Sequence, residues 1–402
     1  MPSVRRDPDG LRVGILCHPT HGGSGSLACE LALNLAARGH EVHVFSHAVP
    51  PRLRATSARA ALDLHVCEAP PYPLFEAPPH DLAMVSRILG VALDSGLDVL
   101  HAHYALPHAA SAILAAEAVR QNGRELAVVT TLHGTDITVV GCDPAFAQVV
   151  RFLINRSDAV TCVSEALAQE TRDTFFEEGP APPIEVIPNF VNAHEFHARH
   201  VRAPGPPRIV HASNLRAVKR VPWLIEAFAQ ATEPDSGASA AELWVIGDGP
   251  QRKQAEARAE ELGVAGRVRF LGQLDAVAPL FAGAAAFALA SETESFGLSA
   301  LEAMACGVPT VACRVGGLPE LVTHEETGYL VDSNDQASFA SRLRMLCVDH
   351  ERVRTMGLAA ARRATHHFAS TPLVDRYEEL YKRARGATLL IGGERWRKSE
   401  SI

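Results

Sequence analysis

The chain has 402 residues, a length that allows two or three domains. Hydrophobic residues make up 47% of it and charged residues 21%, as in an ordinary globular protein. The net charge of −8 argues against a general nucleic-acid or membrane-surface binder. An anionic ligand would therefore have to meet a local cluster of basic residues.

The cysteines and the N-terminus indicate where the protein works. Eight cysteines are spread along the chain without a Cys-x-x-Cys pair, and most lie in apolar segments. This pattern is typical of free thiols in a reducing cytoplasm rather than of a disulfide framework. Residues 1–10 lack an apolar signal core, and no apolar run approaches the length of a membrane span. We therefore expect a cytoplasmic enzyme.

Strand-like and helix-like segments alternate through the first half of the chain. The strands are predicted at residues 11–17, 41–46, 99–102, 127–132 and 159–163. A glycine turn and an amphipathic helix to residue 38 follow the first of them. Such alternation predicts a doubly wound parallel sheet with helices on both faces.

A Pro- and Gly-rich segment at residues 202–207 predicts a hinge, because neither residue favours regular structure. Beyond it, strands are predicted at residues 208–212, 242–246, 268–271, 286–290 and 310–313. We therefore expect an α/β protein of two Rossmann-like domains, 1–203 and 204–365, with ligands beyond the carboxyl ends of the strands. A helix at about 366–385 is expected to pack back on the first domain, and residues 386–402 to form a disordered tail.

Gly22 and Gly23 lie in a Gly-Gly-Ser-Gly turn between the first strand and its helix. Glycine lets a backbone approach a phosphate closely, and the start of a helix supplies N–H donors. The turn matches neither the dinucleotide fingerprint nor a P-loop. By itself it is equally consistent with a tight strand-to-helix turn.

Arg216 and Lys219 follow the first strand of the second half. Because they are three residues apart, both side chains can reach one point. The planar guanidinium of Arg216 and the compact ammonium of Lys219 together suit a diphosphate. A solvated helix start would leave the two cations opposed to the helix dipole. A phosphate ligand is therefore the favoured interpretation.

Histidines end two predicted strands of the first half. His133 ends the run Thr-Thr-Leu-His, at an edge of the sheet where ligands bind. His101 and His103 end another strand, and a His-x-His pair can indicate a metal. Because no third ligand lies at metal spacing, we expect no metal. Taken singly, each histidine is better explained as a capped loop residue.

Glu294 and Glu302 lie eight residues apart around the start of an apolar helix, which Phe296 and Gly297 open. Eight residues span a little over two helical turns, so both carboxylates can face one ligand. A carboxylate can accept two sugar hydroxyls, and N–H groups at the helix start can hold phosphate. On an otherwise apolar helix, Glu302 also needs a partner. A nucleotide-sugar site is favoured over a plain buried helix.

This Glu-x7-Glu pattern resembles that of the retaining family-4 glycosyltransferases, and the resemblance extends from residue 13 to about residue 381. It implies the GT-B fold, two Rossmann-like doubly wound domains that face a central cleft. It also implies transfer with retention, without a metal or cofactor. The donor diphosphate would be held by Gly22, Gly23, Arg216 and Lys219.

The resemblance also implies contacts for the rest of the donor. Glu302 would bind the ribose hydroxyls of UDP. Glu294 would bind the transferred sugar together with the backbone of the next four residues, which are Ser295, Phe296, Gly297 and Leu298. His133 would lie beside the reacting sugar and, with Glu294, would form the catalytic pair.

Motifs at residues 101–108 and 130–138 resemble a subfamily that transfers N-acetylglucosamine from UDP-N-acetylglucosamine to the hydroxyl of L-malate, the first step of bacillithiol biosynthesis. A dicarboxylate acceptor needs cations and hydroxyls, and Tyr104, Thr131 and Arg151 are the expected contacts. On position alone, Arg151 is equally well explained as a surface helix residue.

Two alternatives stay open at this point. One is an enzyme of the same family with another small acceptor, such as an inositol phosphate. The other is a nucleotide-sugar-binding protein without catalysis. We expect neither nucleic acid nor membrane as a partner, and the residues do not decide whether the chain forms a homodimer.

Overall fold

The computed structural model describes residues 10–54, 57–69, 78–177, 179–198 and 205–399. The chain divides into two compact units. Unit 1 comprises Met1–Pro188 with Thr371–Ile402, and unit 2 comprises Asn189–Ser370. Each unit is built on one parallel sheet, as the alternation of segments predicted.

Unit 1 has seven parallel strands in the order β3-β2-β1-β4-β5-β6-β7. They are β1 Arg12–Leu16, β2 Glu41–Ser46, β3 Asp63–Val66, β4 Val99–His103, β5 Ala127–Leu132, β6 Ala159–Cys162 and β7 Ile184–Val186. Every residue of β4 and β5 is buried, because helices cover both faces of a parallel sheet. The order reverses between β1 and β4, so the loops after these two strands diverge and leave room for a ligand.

The helices of unit 1 connect these strands. They are α1 Ser24–Ala37, α2 Pro51–Arg54, α3 His80–Ser95, α4 Ala110–Gln121, α5 Thr135–Thr138, α6 Pro144–Arg156, α7 Glu165–Phe175 and the C-terminal α15 Ser370–Ser399, with short 3-10 and π turns at Ser57–Ala61 and Ala105–Ala109. One core lies between α3, α4 and the sheet, where Ile88, Leu100 and Ala112 are buried together. This packing holds the carboxyl ends of β4 and β5 in fixed positions.

Unit 2 has six parallel strands in the order β10-β9-β8-β11-β12-β13. They are β8 Arg208–Ala212, β9 Glu242–Ile246, β10 Val268–Gly272, β11 Ala286–Leu289, β12 Thr310–Cys313 and β13 Gly328–Val331. The helices are α8 Val221–Ala231, α9 Arg252–Glu261, α10 Ala278–Phe281, α11 Leu298–Ala305, α12 Leu318–Leu321, α13 Gln336–Val348 and α14 His350–His367, with 3-10 turns at Ala217–Lys219 and Ala265–Arg267. Here the order reverses between β8 and β11.

The boundaries between the units differ from the expected ones. The structure divides the chain after Pro188 and after Ser370. Residues from 189 onward join unit 2 because Val191 donates a backbone hydrogen bond to Phe368 and pairs with Ala369. Residues 199–204, which include most of the predicted hinge, lie outside the described residues.

The C-terminal segment also differs from the expectation. A helix was predicted to end near residue 385, but α15 continues to Ser399. No proline follows Pro372 to break the helix, although Gly386, Gly392 and Gly393 lower its helix propensity. Within unit 1, α15 buries Val374, Tyr377 and Tyr381. No helix in the described ranges is long and apolar enough to cross a membrane.

The fold predicts one sharp effect on stability. Gly328 pairs with Thr310 across β12 and β13, and a Cβ on Gly328 would lie 2.1 Å from the carbonyl oxygen of Thr310. We expect Gly328→Ala to lower the free energy of unfolding by about 1–3 kcal/mol, measured by denaturant titration. The control is Gly266→Ala, since no atom lies within 4 Å of a Cβ there. Equal stabilities of the two variants would contradict this packing.

Candidate active site

Two strand-end loops meet at the point of unit 2 where the strand order reverses. The backbone N–H of Glu292, after β11, donates to the carbonyl of Val218, in the turn after β8, at 2.8 Å. Lys219 Nζ lies 2.6 Å from Glu294 Oε2, and Ser291 donates to the same oxygen at 3.2 Å. The side chains of Lys219 and Glu294 are only 19% and 14% exposed, so their attraction is poorly screened. The structure thus brings Lys219, which is predicted to bind the diphosphate, beside Glu294, which is predicted to bind the sugar.

Glycines allow the loops around this pair to pack backbone against backbone. A Cβ on Gly316 would lie 2.1 Å from the carbonyl oxygen of Glu294, which accepts a hydrogen bond from the N–H of Gly317 at 2.9 Å. A Cβ on Gly247 or Gly249 would lie within 2 Å of a carbonyl oxygen in the loop after β8. Gly316 and Gly317 thus fix the backbone of Glu294, whereas Gly247 and Gly249 fix the loop after β8 that leads to Lys219. The importance of Gly247 and Gly249 was missed in the sequence, where they resemble ordinary turn residues.

Helix α11 begins where the sequence predicts. Gly297 precedes it with φ 93°, a conformation that favours glycine. Phe296 is buried with its ring 5.5 Å from that of Phe368, which holds the turn against the body of unit 2. Glu302 is the fifth residue of the helix and half-buried. Its apolar neighbours Leu301 and Ala303 are fully buried.

The two basic residues after β8 differ in their surroundings. Arg216 is exposed just before the 3-10 turn Ala217–Lys219, whereas Lys219 is tied to Glu294. His211, a residue that sequence reasoning missed, supports this loop. Its Nδ1 faces the carbonyl oxygen of Ala288 at 2.8 Å, and its Nε2 lies 2.8 Å from the hydroxyl of Ser213. Burial lowers the pKa of His211 to about 4, so the neutral imidazole holds the loop through these two contacts.

In unit 1, the predicted glycine turn is open to solvent. Gly23 precedes α1 with φ 61° and ψ −132°, a backbone that other residues rarely adopt. Gly22 and Gly23 are exposed, and no atom lies within 4 Å of a Cβ built on either of them. Gly25 differs, since its Cβ would lie 2.4 Å from the carbonyl oxygen of His18. Space for a ligand exists at Gly22 and Gly23, while Gly25 serves packing.

Asp136 ties together the loops that follow β4 and β5. Its Oδ1 accepts the backbone N–H groups of His133 at 3.1 Å and Gly134 at 2.9 Å. Its Oδ2 accepts the N–H of Ala105, 31 residues earlier, at 3.0 Å. Burial raises the pKa of Asp136 to about 6, against the opposing effect of these donors. Asp136 lies in the predicted motif at residues 130–138, but sequence reasoning assigned it no role.

Tyr104 and His133 lie together beside this aspartate. Their ring centroids are 5.2 Å apart, and the ring of His18 lies 5.3 Å from that of Tyr104. Tyr104 has φ 94°, a strained conformation for a residue other than glycine. Such strain is concentrated at functional sites. Its N–H donates to the carbonyl of Thr131 at 3.0 Å, which holds the strained turn on the end of β5.

The other two predicted acceptor residues have different environments. Thr131 is fully buried, with its hydroxyl 2.6 Å from both His101 Nε2 and Thr161 Oγ1. A direct contact with an acceptor would require this interior network to open. Arg151 lies on α6, half-buried, with its guanidinium 5.8 Å from the ring centre of Phe176.

The histidines once considered for a metal are engaged in protein contacts. His101 uses both nitrogens, one with Thr131 and the other with the hydroxyl of Tyr381 at 2.7 Å. Within the described ranges, side chains that could converge on a metal ion are Glu41, His43 and Asp63, whose ligand atoms lie within 4.8 Å of one another. These residues lie on β2 and β3, away from the strand ends that carry His133.

The sequence matches two family descriptions that together cover most of the chain. Residues 21–195 match "Glycosyltransferase Family 4", and residues 192–363 match "Glycosyl transferases group 1". Among curated proteins, the N-acetyl-alpha-D-glucosaminyl L-malate synthase of Bacillus anthracis is 40% identical over 380 residues, which cover 92% of this chain and 96% of that protein. A D-inositol 3-phosphate glycosyltransferase of Acidothermus cellulolyticus is 29% identical, with coverage of 87% and 83%.

Solved structures share the fold at low sequence identity. A sucrose-phosphate synthase from Thermosynechococcus elongatus has a TM-score of 0.77 at 22% identity, covering 94% of this chain and all of that chain. Anabaena HepE, solved with UDP and glucose, has a TM-score of 0.75 at 21% identity, covering 92% and 99%. Each of the two units has one parallel sheet, and the solved structures share this fold. With the family match, these findings identify a glycosyltransferase of the GT-B fold. Within that class, the chain belongs to the family-4 glycosyltransferases.

The geometry of Asp136 yields a prediction. Replacing it with asparagine substitutes an amide N–H₂ for one of two oxygens that both accept hydrogen bonds. We expect Asp136→Asn to lower glycosyl transfer at least tenfold, an effect of about 1–3 kcal/mol from one unpaired buried group. Initial rates are compared with those of Asp173→Asn, a change on the exposed face of α7. Equal rates would show that Asp136 does not set the position of His133.

Proposed function

We propose that the enzyme transfers N-acetylglucosamine from UDP-N-acetylglucosamine to the hydroxyl of L-malate, with retention of the α configuration. The observation that carries the proposal is the 40% identity to a synthase of N-acetyl-alpha-D-glucosaminyl L-malate over nearly the whole of both chains. The product would begin bacillithiol biosynthesis. The free state of all eight cysteines supports a reducing compartment, and we propose the cytoplasm.

The donor roles are supported by the chemistry at the strand-order reversal of unit 2. Lys219 and Arg216, both in unit 2, supply positive charge for the diphosphate. Within unit 1, the exposed backbone at Gly22 and Gly23 can offer N–H groups to a phosphate. Glu302 accepts the ribose hydroxyls. Glu294 and the backbone from Ser295 to Leu298, which leads into α11, bind the transferred sugar.

The Lys219–Glu294 pair also suits a site at which negative charge develops on the diphosphate during the reaction. In the absence of donor, each group neutralises the other in a poorly hydrated place. As the diphosphate leaves, it gains negative charge that Lys219 and Arg216 are placed to stabilise. Fixed charges of this kind need no reorganisation during the reaction.

The proposed reaction is a substitution at the anomeric carbon. The bond from this carbon to the diphosphate oxygen breaks, and a bond to the malate hydroxyl oxygen forms on the same face of the sugar. The hydroxyl proton passes to the departing phosphate, so no covalent enzyme intermediate is required. We propose that the protein needs no metal or cofactor for this step, and that UDP-N-acetylglucosamine is a substrate.

The acceptor roles rest on unit 1. Tyr104 presents a hydroxyl beside His133, and Arg151 can pair with a carboxylate as a planar fork. Thr131 supports the site from the interior, because its carbonyl oxygen accepts the N–H of Tyr104. We propose that the carboxylates of malate meet Arg151 and Tyr104, while His133 contacts the reacting sugar.

The acceptor is tested with a panel. Purified enzyme with UDP-N-acetylglucosamine is expected to release UDP rapidly with L-malate and to show only slow hydrolysis without it. D-malate, succinate and 1-D-inositol 3-phosphate are the comparison compounds, since succinate lacks the hydroxyl and the inositol carries a phosphate. A chelator is expected to leave the rate with malate unchanged.

Each other outcome of the panel has a distinct meaning. Release of UDP with the inositol phosphate and not with malate would replace the proposed acceptor by the alternative of the same family. Tight UDP binding without turnover on any acceptor would favour a non-catalytic nucleotide-sugar-binding protein. Loss of activity on chelation would contradict the metal-free reaction.

The division of roles is tested by binding. We expect Glu302→Ala to weaken UDP binding by about 10–100-fold, the range for a lost hydrogen bond to a charged group. Arg151→Ala is expected to leave the Kd for UDP within about twofold and to raise the KM for malate. Calorimetry and initial rates measure the two effects. Arg156→Ala, on the same helix, is the matched control. Equal losses of UDP affinity in Glu302→Ala and Arg151→Ala would contradict the assignment.

A further inference from the structure

His103 and His133 form a hydrogen-bonded pair of imidazoles. They come from adjacent strands, since β4 and β5 pair His103 with Thr131, and His133 lies two residues further on. The Nδ1 of His103 lies 2.9 Å from the Nε2 of His133, and the two rings are stacked with centroids 5.1 Å apart. A contact this short between two ring nitrogens requires one proton between them.

Both rings are neutral at physiological pH. Burial lowers the pKa of His103 well below its ordinary value, with the neighbouring histidines adding to the shift. Burial also lowers the pKa of His133 to about 3, and the ring of His18 contributes. Each ring therefore carries one proton, which leaves two arrangements for the pair.

In the first arrangement, His103 carries its proton on Nδ1 and donates it to His133. His133 is then protonated on Nδ1, its other nitrogen. In the second arrangement, His133 donates from Nε2, and His103 carries its proton on its own Nε2. In the first arrangement the buried Nε2 of His103 carries no proton and the Nδ1 of His133 carries one. In the second arrangement the reverse holds.

The environment of His103 distinguishes them. His103 is fully buried, and within the described ranges its Nε2 has no hydrogen-bond partner. The second arrangement would bury an N–H group there without an acceptor, which is rarer in proteins than an unpaired acceptor. The neighbouring His108 also has a buried ring nitrogen that carries no proton and has no hydrogen-bond partner within the described ranges. His108 must be protonated on Nδ1, because that atom lies 2.5 Å from the carbonyl oxygen of His103, and its buried Nε2 is also unpartnered.

We propose that His103 is a positioning residue that donates its Nδ1 proton to His133 and so holds His133 in the Nδ1-protonated form. His133 is partly exposed, and its hydrogen bonds in the described ranges use its backbone N–H and Nε2. Its Nδ1–H is therefore available to an oxygen of a bound sugar or acceptor. In this form His133 donates a hydrogen bond and cannot serve as the base that removes the hydroxyl proton.

The inference rests on the proposed function only for the identity of the ligand, and the first measurement needs no substrate. In protein labelled with ¹⁵N at histidine, long-range ¹H–¹⁵N spectra report which nitrogen of each ring carries the proton. Signals of His133 are assigned by their loss in His133→Gln. We expect His133 to be protonated on Nδ1 with Nε2 bare. Protonation on Nε2 in the wild-type protein would overturn the proposal.

Variants of His103 test the effect on turnover. His103→Asn keeps an amide N–H donor close to the position of Nδ1, whereas His103→Leu fills the space without a donor. We expect His103→Leu to lower kcat about tenfold, the loss expected from one misplaced hydrogen bond, with the KM for donor little changed. His103→Asn should recover most of kcat. His43→Leu, a buried change on β2, is the control and should leave both kcat and the His133 signals unchanged.

The outcomes separate this inference from the proposed function. If His103→Leu keeps the wild-type kcat, or if His103→Asn is no better than His103→Leu, the positioning role is wrong. If His103→Leu fails to fold, the spectrum of the wild-type protein still decides the protonated nitrogen. Failure of L-malate in the acceptor panel would change the ligand of His133 but not the state of its ring.

Discussion

Close contact between the backbones of neighbouring strand-end loops is the constraint on which unit 2 depends. Parallel strands place all their carboxyl ends at one edge, so the loops that leave them compete for the same space. The loop after β12 fits against Glu294 only because Gly316 has no side chain. The loop after β9 fits against the loop after β8 for the same reason, at Gly247 and Gly249. The positions of Lys219 and Glu294 follow from this packing.

The corresponding constraint in unit 1 is polar. Asp136 accepts N–H groups from two loops, and the histidine pair joins the ends of β4 and β5. Beneath them, His101 links Thr131 to Tyr381 of α15. A buried network in which most members are paired is rigid, since each broken bond would leave a polar group unsatisfied. The turn at Gly22 and Gly23 contrasts with this rigidity, since both glycines are exposed and no atom lies within 4 Å of a Cβ built on either of them.

Much of this could be predicted from the sequence, and the omissions have physical reasons. The central strands and the start of α11 are strongly marked by apolar runs and by Gly297. The strands β3, β7 and β13 were not predicted; each combines a length of three or four residues with a position at the edge of its sheet. Asp136 contacts Ala105 from 31 residues away, and His133 contacts His103 from 30 residues away, so no local pattern reveals these two contacts. The tail was expected to be disordered from its polar composition, but the absence of proline after Pro372 allows α15 to continue.

The measurement that tests the account most directly is the structure of the product, determined by NMR after incubation with UDP-N-acetylglucosamine and L-malate. The account predicts one glycoside, in which the anomeric carbon of N-acetylglucosamine is joined in the α configuration to the hydroxyl oxygen of malate. A β-linked product would contradict transfer with retention. An ester through a malate carboxylate, or free N-acetylglucosamine alone, would contradict the assignment of malate as the hydroxyl acceptor.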